Sequence, residues 1–399
     1  MIYILHSSTM FLPEDITPEE KKVVEELRNR TQADLTPKLL EDETLFYRFC
    51  KARDFKLEDA EAMLRKHIVW REENQIDTIL TDYKPLEACK YAPTSFLCFD
   101  KEGCVVRYMD VGNTDTKGLF NAVKKEDLLK YCLHGTEYDI DLLSQQCKKL
   151  GKTVYQYSQV CNFENMTFGQ ATNKKMLETS IMFLKTFQDN YPERIKYVFH
   201  INASVYYTTT MSVMKVFMAT PLMQKIQAFG SEGWKEALLE QIHAEELPAF
   251  LGGKLTDPDG DPLCKSFVVH GQKVPKEFFF TNYEKKLSKA PDAKKVTVTR
   301  FSKEEVRLDV RLPGSFLEWE FETKSKDIGF GVFFKTEDDR PVELVPKQRI
   351  DTCYGPEKGL FKCLKAGTYT VVFDNSFSWM HPREIYYRIR IRNPDEVED

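Results

Sequence analysis

The stretch Lys174–Asn202, KKMLETSIMFLKTFQDNYPERIKYVFHIN, decides the fold. Lys174 to Asp189 reads as a helix, and Ile195 to Asn202 reads as a strand. Asn190-Tyr191-Pro192 separates the two, because the residue before a proline avoids the α region. Working upstream, Thr153 to Cys161 is a second strand. Lys125 to Leu150 is a long amphipathic helix with Leu128, Leu129, Cys132, Tyr138, Leu142 and Leu143 on its apolar side. Cys104 to Val111 is another strand, entered from a turn at Asp100-Lys101-Glu102-Gly103. Strands separated by helices imply parallel βαβ units, so residues 88–255 are expected to form an α/β domain.

The flanks read differently. Residues 14–80 are expected to be helical. Thr17-Pro18-Glu19-Glu20 is a capping box with proline at the first helical position, followed by Val23, Val24 and Leu27 on one face. Leu45, Phe46, Phe49 and Ala52 then sit at helical spacing, as do Leu57, Ala60, Leu64, Ile68 and Arg71. Beyond a linker region at 256–292, residues 293–393 switch to a period of two. Val306, Leu308, Val310 and Leu312 alternate with charged residues, and Leu317, Trp319 and Phe321 alternate with Glu318, Glu320 and Glu322. The same period continues through Ile328–Phe334, Tyr369–Phe373 and Ile385–Ile391, which specifies an antiparallel β-sandwich. The expected fold is therefore α/β and multidomain: a helical leader, an α/β domain and a C-terminal sandwich.

Bulk properties narrow the function. A chain of 399 residues calls for two or three domains. A formal charge of −5 argues against nucleic acid as a partner, since little would neutralise the phosphates. No stretch approaches the roughly 20 apolar residues needed to span a bilayer. The apolar opening Met1–Leu5 lacks the basic start and the length of a signal peptide. The ten cysteines are scattered without a CxxC pair, as expected of buried thiols in a reducing cytosol; Cys98 and Cys104 flank a turn and are candidate neighbours. The seven histidines are dispersed, so no metal and no cofactor is expected.

A search for catalytic motifs finds none. Gly230-Ser231-Glu232-Gly233 has the wrong spacing for a nucleophile elbow, and neither phosphate loop nor dinucleotide fingerprint is present. Asp257-Pro258-Asp259-Gly260-Asp261 has its glycine at the fourth position and Val268 at the twelfth, so it reads as a tight turn rather than a calcium loop. The chain is not expected to be an enzyme. One segment stands out: Val205–Met218 is nearly uncharged and rich in methionine and aromatics. Two readings fit it, a buried core helix or a mobile lid over an apolar cavity, for which methionine's unbranched chain is suited.

Several residues in register resemble the CRAL-TRIO family. Phe49-Cys50-Lys51-Ala52-Arg53-Asp54-Phe55, Ala62–His67 and Trp70-Arg71 are similar to its helical leader. Asn190–Ile195, Ile201-Asn202-Ala203, Gln224-Lys225-Ile226, Leu247-Pro248 and Gly252-Gly253 are similar to its lipid-binding domain. Gly367-Thr368-Tyr369, with Phe373–Ser376 and Ser378, resembles the end of a GOLD domain, a jelly-roll-like sandwich. The resemblance implies a mixed sheet flooring a lipid pocket and a hydrophobic gate at about Val205–Ala219. It also implies that Glu193 and Lys225 stand where phosphatidylinositol-transferring relatives contact a headgroup; a structural carboxylate–ammonium pair is the other reading. Asp54 occupies a position that is basic in phosphoinositide binders, and two family prolines near the gate are Ser204 and Val216 here. These departures favour a neutral lipid such as a tocopherol, sterol precursor or squalene.

Alternation supplies lining candidates. Tyr155, Tyr157, Gln159 and Cys161 share one strand face, and Tyr197, Phe199 and Ile201 share another. Met211, Met214, Phe217 and Met218 are the candidates from the gate. Ordinary core packing is the alternative for all of them. The expected partners are a hydrophobic lipid, a transient membrane surface, and a protein reached through the sandwich, with Glu318, Glu320, Glu322 and Arg388, Arg390, Arg392 as docking faces. The expected location is cytoplasmic.

Overall fold

A computed structural model describes residues 10–280, 287–324, 327–335, 341–352, 355–378 and 381–393. The apolar opening Met1–Leu5 and residues 281–286 of the expected linker lie outside them.

The leader packs α1 (Pro18–Thr31), α2 (Leu45–Lys51) and α3 (Leu57–Glu73) around Val24, Leu27, Phe49 and Leu64, all fully buried. The capping box forms: Glu20 donates its backbone N–H to Thr17 Oγ1 at 3.2 Å, and the Thr17 N–H donates to Glu20 Oε2 at 2.9 Å.

The central domain is a five-stranded sheet of order β1 (Thr94–Phe99), β2 (Val105–Met109), β3 (Tyr157–Asn162), β4 (Ile195–Ile201) and β5 (Ile226–Ala228). β1 and β2 form an antiparallel pair across the Asp100–Gly103 turn, whereas β2 to β5 run parallel. Parallel neighbours need long crossovers. These are supplied by α4 (Lys125–Leu150), α5 (Lys174–Asn190) and α6 (Val205–Met214). A further helix, α7 (Trp234–Gln241), follows β5.

Three details differ from the sequence reading. The strand expected at Thr153 begins only at Tyr157, because the Tyr155 carbonyl accepts from Arg194 Nη1 and the Val154 N–H donates to Cys147 Sγ. On α4, Tyr138 is exposed, while Glu137 and Asp139 are buried beside Leu133 and Leu143. β4 carries an extra residue against β3, since Tyr157–Gln159 spans Ile195–Val198, and this irregularity puts Ile195 and Val198 on the same side. The acidic run Asp257–Asp261 is a turn, as expected: the Gly260 N–H donates to the Asp257 carbonyl, and Asp257 Oδ1 accepts from the Ser266 hydroxyl.

The C-terminal part is an antiparallel sandwich of two four-stranded sheets. One has the order β10 (Pro341–Asp351), β9 (Asp327–Lys335), β12 (Gly367–Asp374), β7 (Lys303–Val310). The other has the order β11 (Glu357–Lys362), β8 (Phe316–Thr323), β13 (Arg383–Arg392), β6 (Lys294–Val298). Leu317, Trp319 and Phe321 meet Phe330 and Phe373 between the sheets, so the two-residue period marks the inner face. Leu312 is the exception at 52 % exposure, because it lies past the end of β7 in a loop. The charges of the docking faces expected from the sequence pair with one another. Arg390 donates to Glu318 at 2.7 Å, Arg388 to Glu320 at 3.4 Å, and Glu318 also pairs with Lys174 of α5. Cross-strand register alone brings these charges together, Arg390 opposite Glu318 and Arg388 opposite Glu320.

Candidate functional site

The site is built on α6. Ser204 caps it by accepting the Tyr206 N–H at 3.2 Å, and after Met214 the chain tightens into a 3₁₀ turn, Lys215–Phe217. Its apolarity is nearly uniform around the axis because it is covered on two sides. Tyr207, Met211 and Met214 face the sheet and join Tyr157, Cys161 and Val198 in one cluster. Val213 faces the sandwich and packs with Leu177, Phe316 and Leu360.

Polar contacts fix this helix. Tyr207 Oη lies 2.9 Å from His200 Nδ1, and both rings pack against Phe163. Burial holds the His200 imidazole down, to a pKa of about 4. The far end is bracketed by Gln188, whose Nε2 donates to the Phe217 carbonyl at 3.0 Å and whose Oε1 accepts the Ala219 N–H at 2.7 Å. On the sandwich side the Leu360 N–H donates to the Thr172 carbonyl at 3.1 Å, and Asn173 bridges Gly359, which covers the edge of β11.

The lining candidates divide into groups. Tyr157, Cys161, Met211 and Met214 come together, with Phe217 and Met218 half-buried at their margin. Tyr197, Phe199 and Ile201 do share a face, but it is the opposite one, packed against Trp234 and Leu238 of α7 and against Leu247 and Leu251. Tyr155 belongs to neither; its ring is 5.4 Å from that of Phe11 in the leader cluster. Which face of a strand meets which layer follows from the crossovers, and alternation carries no information about it.

The Tyr191-Pro192-Glu193-Arg194 turn joins leader to sheet. Tyr191 Oη donates to Glu137 Oε1 at 2.7 Å, and Glu137 also receives both terminal nitrogens of Arg71 at 3.0 and 3.3 Å. Arg194 and Arg48 both donate to Asp42 Oδ2, at 2.6 and 2.5 Å. Burial alone would raise the Asp42 pKa, but the two guanidiniums outweigh it and hold this carboxyl well below the usual range. Burial in turn lowers Arg48 to about 10. Glu193 sits in the left-handed region at φ +59°, with Lys225 Nζ 3.5 Å and Lys51 Nζ 3.8 Å from its Oε2. Lys225 also donates to the Ile195 carbonyl at 2.8 Å. Asp54 is exposed, at φ +50°.

His200, Glu137 and the bidentate Arg107–Asp139 pair were not singled out from the sequence. A signal for Glu137 did exist, because Arg71 recurs on the apolar stripe of α3 and a charge on such a stripe demands a buried partner. The thiols of Cys98 and Cys104 are both buried, and burial pushes the latter up to about 12.

Comparison with known proteins agrees with this fold. Residues 90–253 match the CRAL/TRIO domain and residues 16–66 the CRAL/TRIO N-terminal domain. Protein ctg-1 of Caenorhabditis elegans is 25% identical over 351 residues, covering 87% of this chain and 90% of that protein. Protein real-time of Aedes aegypti is 26% identical over 326 residues, 79% of this chain but 49% of that protein, so the chain spans about half of this longer relative. The crystal structure of Sfh5 superimposes with a TM-score of 0.52 at 17% identity, covering 66% of this chain and 95% of that one, a likeness of fold. With both matches in register on the leader and the mixed sheet, the chain carries a CRAL/TRIO N-terminal domain and a CRAL/TRIO domain, followed by an antiparallel sandwich.

Proposed function

We propose that this protein encloses one hydrophobic lipid between the β3–β4 face of the sheet and α6, and passes it between membranes without catalysing a reaction. One observation carries this reading. The helix over the sheet presents methionine and tyrosine to Tyr157 and Cys161, and no carboxylate occurs from Val205 to Ser231. Such a face repacks around a flexible apolar ligand at little cost. Each methylene taken from water gains about 0.8 kcal/mol, but one taken from a bilayer gains almost nothing, so exchange is reversible.

Finer parts of the reading follow from the resemblance. The domain plan is a leader at 14–80, a CRAL-TRIO domain at 88–255, a linker region at 256–292 and a GOLD sandwich at 293–393, the order found in supernatant protein factor, the tocopherol-associated protein. The gate is Val205–Ala219, and the cargo is a neutral lipid rather than a phosphatidylinositol, because the Asp54 carboxylate would repel a phosphate and Glu193 is already flanked by two ammonium groups. The setting is cytoplasmic with transient membrane contact.

Organic extraction of the purified chain followed by lipid identification tests this. Recovery of a lipid, with transfer between donor and acceptor vesicles, is the expected result. An empty protein that transfers nothing would favour a lipid-sensing adaptor whose GOLD domain recruits a protein partner.

A further inference from the structure

A cleft of about 450 Å³ opens beside α6, lined by Tyr207, Thr208, Met211, Ser212, Lys215, Val216 and, from the sandwich, Lys362. Lys215 and Lys362 thus reach one cleft from two domains, and the hydroxyls of Thr208 and Ser212 lie beside them. Among the described residues, no carboxylate lines it. The adjoining sequence is equally free of acids, with none between Val205 and Ser231, between Val310 and Leu317, or between Lys358 and Phe373. In a chain of net charge −5, three such segments converging on one face make a local excess of positive charge.

The face continues from the cleft onto two sandwich loops. The Gly314 N–H donates to the Cys363 carbonyl at 2.7 Å, and the Cys363 N–H donates to the Ser315 carbonyl at 2.8 Å, so the 311–314 and 363–366 loops lie side by side just past Lys362. Each loop pairs an exposed cation with an exposed leucine: Arg311 with Leu312, and Lys365 with Leu364. Leu364 is 71 % exposed, Leu312 52 %, and Val216 at the gate 55 %. Single apolar tips set among cations are ill suited to a protein interface, which needs a contiguous packed core. They fit the headgroup boundary of a bilayer, where leucine enters the acyl region and lysine stays with the phosphates.

We propose that this face docks the protein on a bilayer rich in anionic phospholipid, with a headgroup phosphate held in the cleft between Lys215 and Lys362. The sandwich then acts as a second membrane anchor, and docking brings the end of α6 to the surface at which lipid must enter or leave. This rests on the reading of α6 as a gate.

The test is cosedimentation of the full chain with phosphatidylcholine vesicles, with and without phosphatidylserine. The wild type is expected on the anionic vesicles alone, and to be released by salt. A variant carrying Lys215→Gln, Lys362→Gln and Lys365→Gln should bind about 100-fold more weakly, roughly fivefold per lysine. Leu312→Ser with Leu364→Ser should also weaken binding. A control with the same net charge, Lys254→Gln, Lys265→Gln and Lys273→Gln, should bind like the wild type. Failure of the wild type to bind anionic vesicles, unchanged binding by the first triple variant, or an equal loss in the control would each overturn the proposal. Lipid extraction separates the two readings: a chain that carries lipid but docks independently of these lysines keeps its proposed function and loses this face.

Discussion

The phenol of Tyr207 in α6 and the imidazole of His200 on β4 lie 2.9 Å apart beneath the helix, with the ring of Phe163 against both. Hydroxyl and imidazole are each buried, so each would lose a partner if the helix lifted. The contact joins a mobile candidate, the gate, to a strand fixed on both sides in the parallel sheet.

This contact should make the protein acid-sensitive. Burial lowers His200 from an ordinary 6.5 to about 4 and His67 from 6.5 to about 3. With folded values below unfolded ones, the stabilisation is complete above pH 6.5 and is lost as pH falls toward those folded values. Between pH 6.5 and 5 the loss is on the order of 2 kcal/mol per imidazole. Urea denaturation at the two pH values should show it, and His200→Gln, which cannot titrate, should recover about half. An identical pH dependence in the variant would sink the idea.

Phe217→Asp should slow lipid transfer about tenfold, equivalent to roughly 1.4 kcal/mol on the barrier. Phe217 is half-buried, packs with the cluster of Leu177 and Val213, and lies 5.3 Å from Lys185 Nζ, so the fold should survive the change. Fluorescent lipid transfer between vesicles, read alongside thermal unfolding, checks this. Unchanged transfer with an intact fold would count against a gate at this position.

Lys225→Ala discriminates between the two readings of its pair with Glu193. If the ammonium reads a headgroup, phosphoinositide binding should fall about 10- to 100-fold, the worth of a charge-assisted hydrogen bond, while neutral lipid is retained. Equal loss of every lipid would identify a structural pair that holds the Tyr191–Arg194 turn.

Arg71→Met should cost about 3–5 kcal/mol, because it leaves the buried Glu137 carboxylate with only the Tyr191 hydroxyl. Adding Glu137→Leu should recover much of that loss, since neither charge is then stranded. Chemical denaturation of both variants measures the difference. A double variant as unstable as the single one would contradict the electrostatic account.

Much of the fold was legible locally. The capping box at Thr17–Glu20, the full extent of α4 and the inward face of β8 each depend on groups within a turn or a pleat of one another, where periodicity and capping act directly. The site was legible only in part. Val205–Met218 stood out by composition, yet the same pattern served equally for core and lid, and Tyr155, Tyr197, Phe199 and Ile201 of the proposed lining turned out to face α7 or the leader.

What the sequence determined by itself was the kind of the long, strongly periodic elements, the division into a helical leader, an α/β body and a sandwich, and the likeness to the two CRAL/TRIO domains. Only the tertiary structure decided which side of the sheet faces α6, because crossover connections and the irregularity on β4 set that. It alone showed that Glu318 and Glu320 are spent on Arg390 and Arg388. It alone brought Asp42 to Arg194, 152 positions away, and Lys215 to a cleft shared with Lys362. Charges act through space over a few ångströms, and that proximity exists only once the chain has folded.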